Sequence, residues 1–281
     1  MAYRVVSDSC ADHPDRHDAL AQVSRVPLTI RLGDDTLIDD DSLDTDELVE
    51  RMKREPQAPT SACPSPGAFV DACGEDDADV YMVAMSDKVS GSYSSAVVAA
   101  DMIKAVKPQR NVHVFNTLSA SAGQAAVCLK ICELAGRALP FRQVVEQVEA
   151  FIASLTTLFV LEDLSVLKKA GRLCHLQALI SMALRIKLVM GARPDGSIDV
   201  RGKALSMERA LISMIGMIKE KCAALIPGER SLVITHCCAL SRAEAIRDAV
   251  ERFCGFKEVL ICRPSGISAM YANDGGVVVG F

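Results

Sequence analysis

Hydroxyl-bearing side chains recur in short turns directly after apolar, strand-like runs, and they are the residues best placed to do chemistry in this chain. Ser7-Asp8-Ser9 follows Tyr3-Arg4-Val5-Val6. Ser86-Asp87-Lys88-Val89-Ser90-Gly91-Ser92-Tyr93 follows Val80 to Met85. Asn116-Thr117-Leu118-Ser119 follows Val112 to Phe115. In a parallel sheet covered by helices, strand C-termini and the helix N-termini after them share one edge. Small polar turns there supply N–H groups, hydroxyls and helix dipoles to an anion or polar headgroup. No turn pairs a nucleophile with a base, so the set reads as a cradle rather than a reaction centre. Ser90-Gly91-Ser92 is the strongest of them: Gly91 lets backbone approach a ligand, although N-capping by Ser90 or Ser92 is the simpler account of those hydroxyls.

Other candidate groups yield to plainer readings. Thr60-Ser61-Ala62-Cys63-Pro64-Ser65-Pro66 is an irregular, hydroxyl-rich loop with Ser65 as a helix cap. Its Cys63 is a candidate thiol nucleophile without an activating partner nearby in sequence. The acidic run from Asp34 to Asp46 lacks the central Gly and oxygen ladder of a calcium loop, and reads as a solvated loop with a helix cap. Lys168-Lys169-Ala170-Gly171-Arg172 places cations at a helix C-terminus, where the dipole favours them; Arg172 is also a candidate partner or phosphate contact. Asn273-Asp274-Gly275-Gly276 is a tight turn, and Asn273 is a candidate amide donor to a ligand in an interdomain cleft.

Elements that could position these turns follow in β-α order. Strands are expected at residues 4–8, 26–31, 79–85 and 112–116, with helices at 47–53, after Ser65, at 92–105 and at 118–136. A second phase opens near Thr157, with strands at 158–161, 186–190, 197–200, 231–236, 257–262 and 277–281. Its helices are expected after Asp163, at 175–184, at 207–224 and at 241–253. This implies an α/β fold with a parallel-sheet N-terminal domain over 1–157 and a smaller α/β C-terminal domain over 158–281, packed with a cleft between them.

Composition bounds the function. The chain has 281 residues, half of them apolar and 24% charged, which fits a globular protein with a large core. A net charge of −5 gives no electrostatic case for nucleic acid or an anionic membrane. No run reaches the roughly 18 apolar residues of a membrane span, and no secretory signal is evident. Eleven scattered cysteines, without a CxxC pair, fit buried thiols in a reducing cytoplasm better than disulfides or zinc. With no Trp and 4% aromatic residues, a large pocket would be lined by aliphatic side chains and would suit a flexible aliphatic ligand.

Taken together, these pieces resemble the DegV family of bacterial fatty-acid-binding proteins along the whole chain. Ser7-Asp8-Ser9 is similar to the opening T/S-D-S motif, and Val26-Pro27-Leu28-Thr29-Ile30 to the V-P-L-x-V/I strand. Pro64-Ser65-Pro66 with the residues before it resembles T-S-Q-P-S-P, and Ser86 to Tyr93 resembles I-S-S-x-L-S-G-T-Y. Leu167 to Arg172 resembles L-x-K-G-G-R. The resemblance implies a DegV-like fold whose two domains clasp one long-chain fatty acid. Its tail would be buried and its carboxylate held by hydroxyls, with no cofactor and no catalytic residue in the chain. Carried over, the ligand-binding residues are Ser90, Gly91 and Ser92, with Asn273 and one or both of Thr60 and Ser61. Aligned without a gap from Pro64, the family's Thr falls on Ser61; a one-residue shift makes Thr60-Ser61 the matching pair. The resemblance also implies a partner, an ATP-binding fatty acid kinase subunit that phosphorylates the presented carboxylate. Three departures bear on that role: Asn273 stands for the family's His, Leu205 for its Arg after Gly-Lys-Ala, and Leu188 for its Pro after Ile-Lys. Asn273 can hydrogen-bond a carboxylate but cannot carry positive charge. The alternatives are a dihydroxyacetone-kinase-like subunit or phosphotransfer protein, which would want a His in a matching motif, and a thiol enzyme at Cys63.

Overall fold

Runs rich in Val, Ile and Tyr build three sheets in the computed structural model, which describes residues 2–14, 17–176 and 186–281. The first sheet is wholly parallel, ordered β2 (Val23–Val26), β1 (Tyr3–Asp8), β6 (Asp79–Ala84) and β7 (Val112–Asn116). Its central strands, β1 and β6, are buried on both faces, as continuous apolar runs require. The second sheet has six strands, ordered β10 (Ile198–Ala204), β9 (Lys187–Ala192), β8 (Thr157–Val160), β13 (Val277–Gly280), β11 (Leu232–His236) and β12 (Val259–Cys262). Only β11 and β12 pair in parallel. A small antiparallel sheet, β4 (Asp35–Ile38), β3 (Thr29–Leu32) and β5 (Thr60–Ala62), sits to one side.

Nine α-helices of the described residues cover these sheets. They are α1 (Thr45–Arg54), α2 (Pro66–Cys73), α3 (Ser92–Val106), α4 (Ala122–Gly136), α5 (Phe141–Ala153), α6 (Ser165–Lys169), α7 (Met207–Cys222), α8 (Leu240–Glu251) and α9 (Gly266–Ala272). Local chemistry fixes several starts. Asp44 accepts the N–H groups of Asp46 and Glu47, at 2.9 and 3.0 Å, and Ser65 accepts that of Ala68 ahead of Pro66. The helix α4 is buried on nearly every side because it lies between the two large sheets. One core joins Val83 and Phe115 of the first sheet to Val233 and Cys262 of the second through it. Backbone contact is so close there that a Cβ on Gly280 of β13 would stand 2.4 Å from the Cα of Gly123.

The expected α/β architecture is present, with differences in detail, β4 among them as an added strand. The strand expected over 26–31 is two, because Pro27 has no N–H to continue a ladder. The helix expected from 118 begins at Ala122, since Leu118 and Ser121 take positive φ values of 51° and 54°. Thr60 to Ala62, expected to be irregular, pairs with β3 as an edge strand. Two helices, α5 and α9, add to the expected set. The helix expected over 175–184 falls mostly outside the described residues; Cys174–Leu176 is a 3₁₀ turn. Thr157, placed at the division between the halves, is the first residue of β8.

Candidate functional site

The C-terminal ends of β1 and β6 carry buried polar groups that hold the first and second turns together. Asp8 is fully buried. Its carboxylate accepts the N–H of Met85 at 2.9 Å and of Cys10 at 3.2 Å, and the Gln124 amide at 2.8 Å. Burial raises its pKa, opposed by these donors and by the Ser92 hydroxyl. Ser92, itself wholly buried, lies 3.0 Å from the Ser90 hydroxyl, and the Ser92 N–H donates to Ser90 Oγ at 3.2 Å. A donor Ser92 facing Asp8 leaves its oxygen to accept from Ser90. A carboxylate arriving at the lip then competes only for the Ser90 proton. The N–H groups of Tyr93 and Ser94, in the first turn of α3, meet no protein acceptor among the described residues. They point the start of a four-turn helix at the same place.

Asp12 and Asp39 bind the halves to each other. Asp12 accepts the Ser265 N–H at 2.8 Å and the Ser121 hydroxyl; Asp39 accepts the N–H groups of Gly266 and Ile267, at 2.6 and 3.1 Å, and the Ser9 hydroxyl at 2.6 Å. Both carboxylates thus cap the start of α9. Burial pushes Asp12 up to about 6 despite these bonds, and raises Asp39 as well.

Between the halves lies a cavity with about 800 Å³ of unfilled space, its open mouth included. Phe159 from β8, Leu161 just after it, Leu167 from α6 and Ile267 from α9 make much of its wall. Thr157, Phe159 and Leu161 face it at alternate positions, so it runs roughly 13 Å along this strand. Six lining residues carry hydroxyls, yet four of these hydroxyls bond tightly to protein. Ser86 donates to the Gly196 carbonyl at 2.8 Å, Ser121 donates to Asp12, and Ser119 and Thr157 pair at 2.7 Å. The wall they present is therefore apolar, which suits an alkyl chain and offers little to a sugar or nucleotide.

Arg172 lines the mouth and donates through Nε to the Val89 carbonyl at 2.9 Å, joining the two halves beside the Ser90 turn. Ser61, on the inward face of β5, is 3.2 Å from the hydroxyl of Tyr271, a cavity-lining residue of α9. Thr60 is exposed on the opposite face. Cys63 lies under Gly91: a Cβ on that glycine would stand 3.1 Å from its sulfur. The structure thus brings the Ser61 strand, Cys63 and the Ser90–Ser92 turn to one lip. Asn273 stands at the end of α9 with φ of 53°, and its side-chain oxygen accepts the Asp274 N–H at 2.8 Å. Leu205 is 72% exposed, away from the cavity, and Leu188 is buried in the core beneath it. Sequence reasoning did not single out Asp8, Asp12 or Asp39 as site-building groups. The first stands within a motif it did quote, Asp39 lies in the acidic run it read as a solvated loop, and Asp12 carries no local pattern. Among the described residues no cluster of side chains suited to a metal ion is found, and no helix is long and apolar enough to cross a membrane.

Comparison with known proteins assigns the chain to a family. The profile of the family described as "Uncharacterised protein, DegV family" matches residues 2–281. This chain belongs to the DegV family. A DegV domain-containing protein of Streptococcus pyogenes serotype M18 is 30% identical over 283 residues, covering 100% of this chain and 99% of its own. Among solved structures, a DegV family protein of Ruminococcus gnavus, refined with vaccenic acid, is 33% identical with a TM-score of 0.92 and full coverage of both chains. The Streptococcus pneumoniae fatty acid kinase B3 protein, loaded with linoleic acid, is 27% identical with a TM-score of 0.90. It covers 100% of this chain and 99% of its own.

Proposed function

We propose that this DegV protein binds one long-chain fatty acid, tail in the cavity and carboxylate at the lip formed by Ser61, Ser90 and the start of α3. The observation that carries the reading is the cavity itself: an apolar-walled space whose hydroxyls are largely turned into the protein, in the same region as the Tyr93 and Ser94 N–H groups that meet no protein acceptor among the described residues. A buried chain of ~16 carbons contributes on the order of 12 kcal/mol gross at about 0.8 kcal/mol per CH₂, before ordering costs. Neutral donors and a helix start hold a carboxylate without a permanently buried counter-charge, and Arg172 adds a cation at the mouth. The acids held by the Ruminococcus and pneumococcal relatives agree with this ligand class.

In the same proposal, Gly91 allows close approach at the lip, Ser92 orients Ser90, and Asn273 and Thr60 stand further from the carboxylate. The two halves, 1–157 and 158–281, close over the ligand. The protein works in the cytoplasm, consistent with its eleven free thiols. It presents the acid to a separate ATP-binding kinase subunit, a role supported by the name of the pneumococcal relative. Because Asn273 and Leu205 stand where the family has His and Arg, lipid binding has more support than phosphorylation.

Native mass spectrometry of the purified protein, followed by solvent extraction, tests the binding. A stoichiometric fatty acid is the expected result. A protein that emerges empty and takes up no added oleate or palmitate overturns the proposal.

A further inference from the structure

The C-terminal half brings a hydroxyl of its own to the lip. Tyr271, the one residue of α9 that is not buried, lines the cavity, and its phenol oxygen lies 3.2 Å from Ser61 Oγ on β5 of the other half. Two residues beyond Ser61, the Cys63 sulfur packs under Gly91, so the pair stands beside the Ser90 turn. The helix has little freedom to carry Tyr271 elsewhere. Asp39 accepts the N–H groups of Gly266 and Ile267, Asp12 accepts that of Ser265, and a Cβ on Gly266 would stand 2.3 Å from Leu43 Cδ2. Asn273, the next polar side chain along, already commits its oxygen to the Asp274 N–H. The hydroxyls of Tyr271 and Ser61 bond no other protein group among the described residues. They carry two protons and share one bond, so whichever donates to the other, one proton is left without a protein acceptor.

We infer that Tyr271 is a carboxylate ligand: its hydroxyl and that of Ser61 form one arm of the headgroup site and the Ser90 turn forms the other, so that both halves hold the head of the acid. The inference rests on the fatty-acid reading and adds to it a binding residue from the C-terminal half. A carboxylate, with about four acceptor positions on its two oxygens, serves both arms at once. A phenol supplies its donor as the serines do, without burying a counter-charge. Its reach also exceeds that of a serine, which lets α9 touch a carboxylate seated across the lip from its own backbone.

Calorimetric titration with oleate of the delipidated parent, of Tyr271→Phe, of Ser61→Ala and of the double variant tests this. Tyr271→Phe keeps the ring against the cavity wall and removes only the hydroxyl; its oleate affinity should fall by about fivefold to a hundredfold. In the Ser61→Ala background the same substitution should still cost about fivefold or more, because Tyr271 keeps its own bond to the carboxylate. No further loss in that background would make Tyr271 a prop for Ser61 alone and overturn the inference. Oleate affinity of Tyr271→Phe within about twofold of the parent overturns it too, and leaves the fatty-acid reading standing. A parent protein that takes up no oleate removes that reading, and this inference with it.

Discussion

At the scale of single residues, Ser90 carries the sharpest prediction about ligand. Its hydroxyl faces Ser92 and stands beside unpartnered helix N–H groups, so Ser90→Ala removes one donor to the ligand, and with it the acceptor of the Ser92 N–H. Fatty acid affinity should drop by roughly 1–3 kcal/mol, the range for a hydrogen bond to a charged group, read by fluorescence displacement on correctly folded protein. Unchanged affinity would place the carboxylate elsewhere. Two neighbouring groups, Asp12 and His13, give opposite pH signatures. Asp12 has its folded pKa raised to about 6 by burial, so the folded state holds its proton more tightly than the unfolded chain does. Between about pH 4 and 6 its contribution to stability therefore declines as pH rises, and it is level above that window. His13 has its pKa lowered to about 4, by burial first and then by Arg25 and His17, so its contribution grows as pH rises through the same window. The two slopes offset each other in the parent. Denaturation of Asp12→Asn from pH 4 to 7 should uncover a profile that rises with pH more steeply than the parent's, diverging by about 1–3 kcal/mol in all. Parallel profiles would mean that Asp12 titrates normally.

At the scale of elements, the β9–β10 turn joins the halves at the cavity. Gly196 takes φ of +84°, and its carbonyl accepts the Ser86 hydroxyl. A Cβ there would stand 2.3 Å from Ser86 Oγ and 3.0 Å from the Leu118 Cα. Gly196→Ala should therefore cost about 1–3 kcal/mol in urea denaturation, from backbone strain and overpacking together; a neutral variant would show that the turn is free to move. This turn falls between the strands expected at 186–190 and 197–200, on the turn-forming residues Pro194-Asp195-Gly196, and the alternating strands and helices of the first sheet were legible for the same reason: each has strong local chemistry. What escaped had weak local chemistry. The helix α9 has seven residues, all buried but Tyr271, so no polar face marks a helical period. Its N-terminus is stabilised by Asp39 and Asp12 from far away in sequence, a source of order that no local window contains. Thr60 to Ala62 is a strand only because β3 offers it an edge. By contrast α5 buries Val144, Val148, Phe151 and Ile152, a helical spacing that was available to be read.

At the scale of the whole molecule, the cavity couples everything above. Its walls come from β8 and α6 of one half, from the β6–α3 turn of the other, and from α9, which is held by carboxylates belonging to β1's loop and to the acidic loop. Interfaces built this way bury hydrogen bonds whose full strength depends on the halves staying closed. A ligand that fills the space binds only the closed, folded state, so it stabilises by mass action: about 4 kcal/mol when its free concentration is a thousandfold above Kd. At the few degrees per kcal/mol usual for chains of this size, delipidated protein should melt on the order of 5–10 °C below protein reloaded with fatty acid. Differential scanning calorimetry reads this directly, and the shape of the transition adds a second reading. Reloading should merge any separate melting of the two halves into one cooperative transition, because the acid touches both. An unchanged midpoint under saturating acid would mean that the ligand does not bridge the halves, and the site would have to be sought on one of them alone.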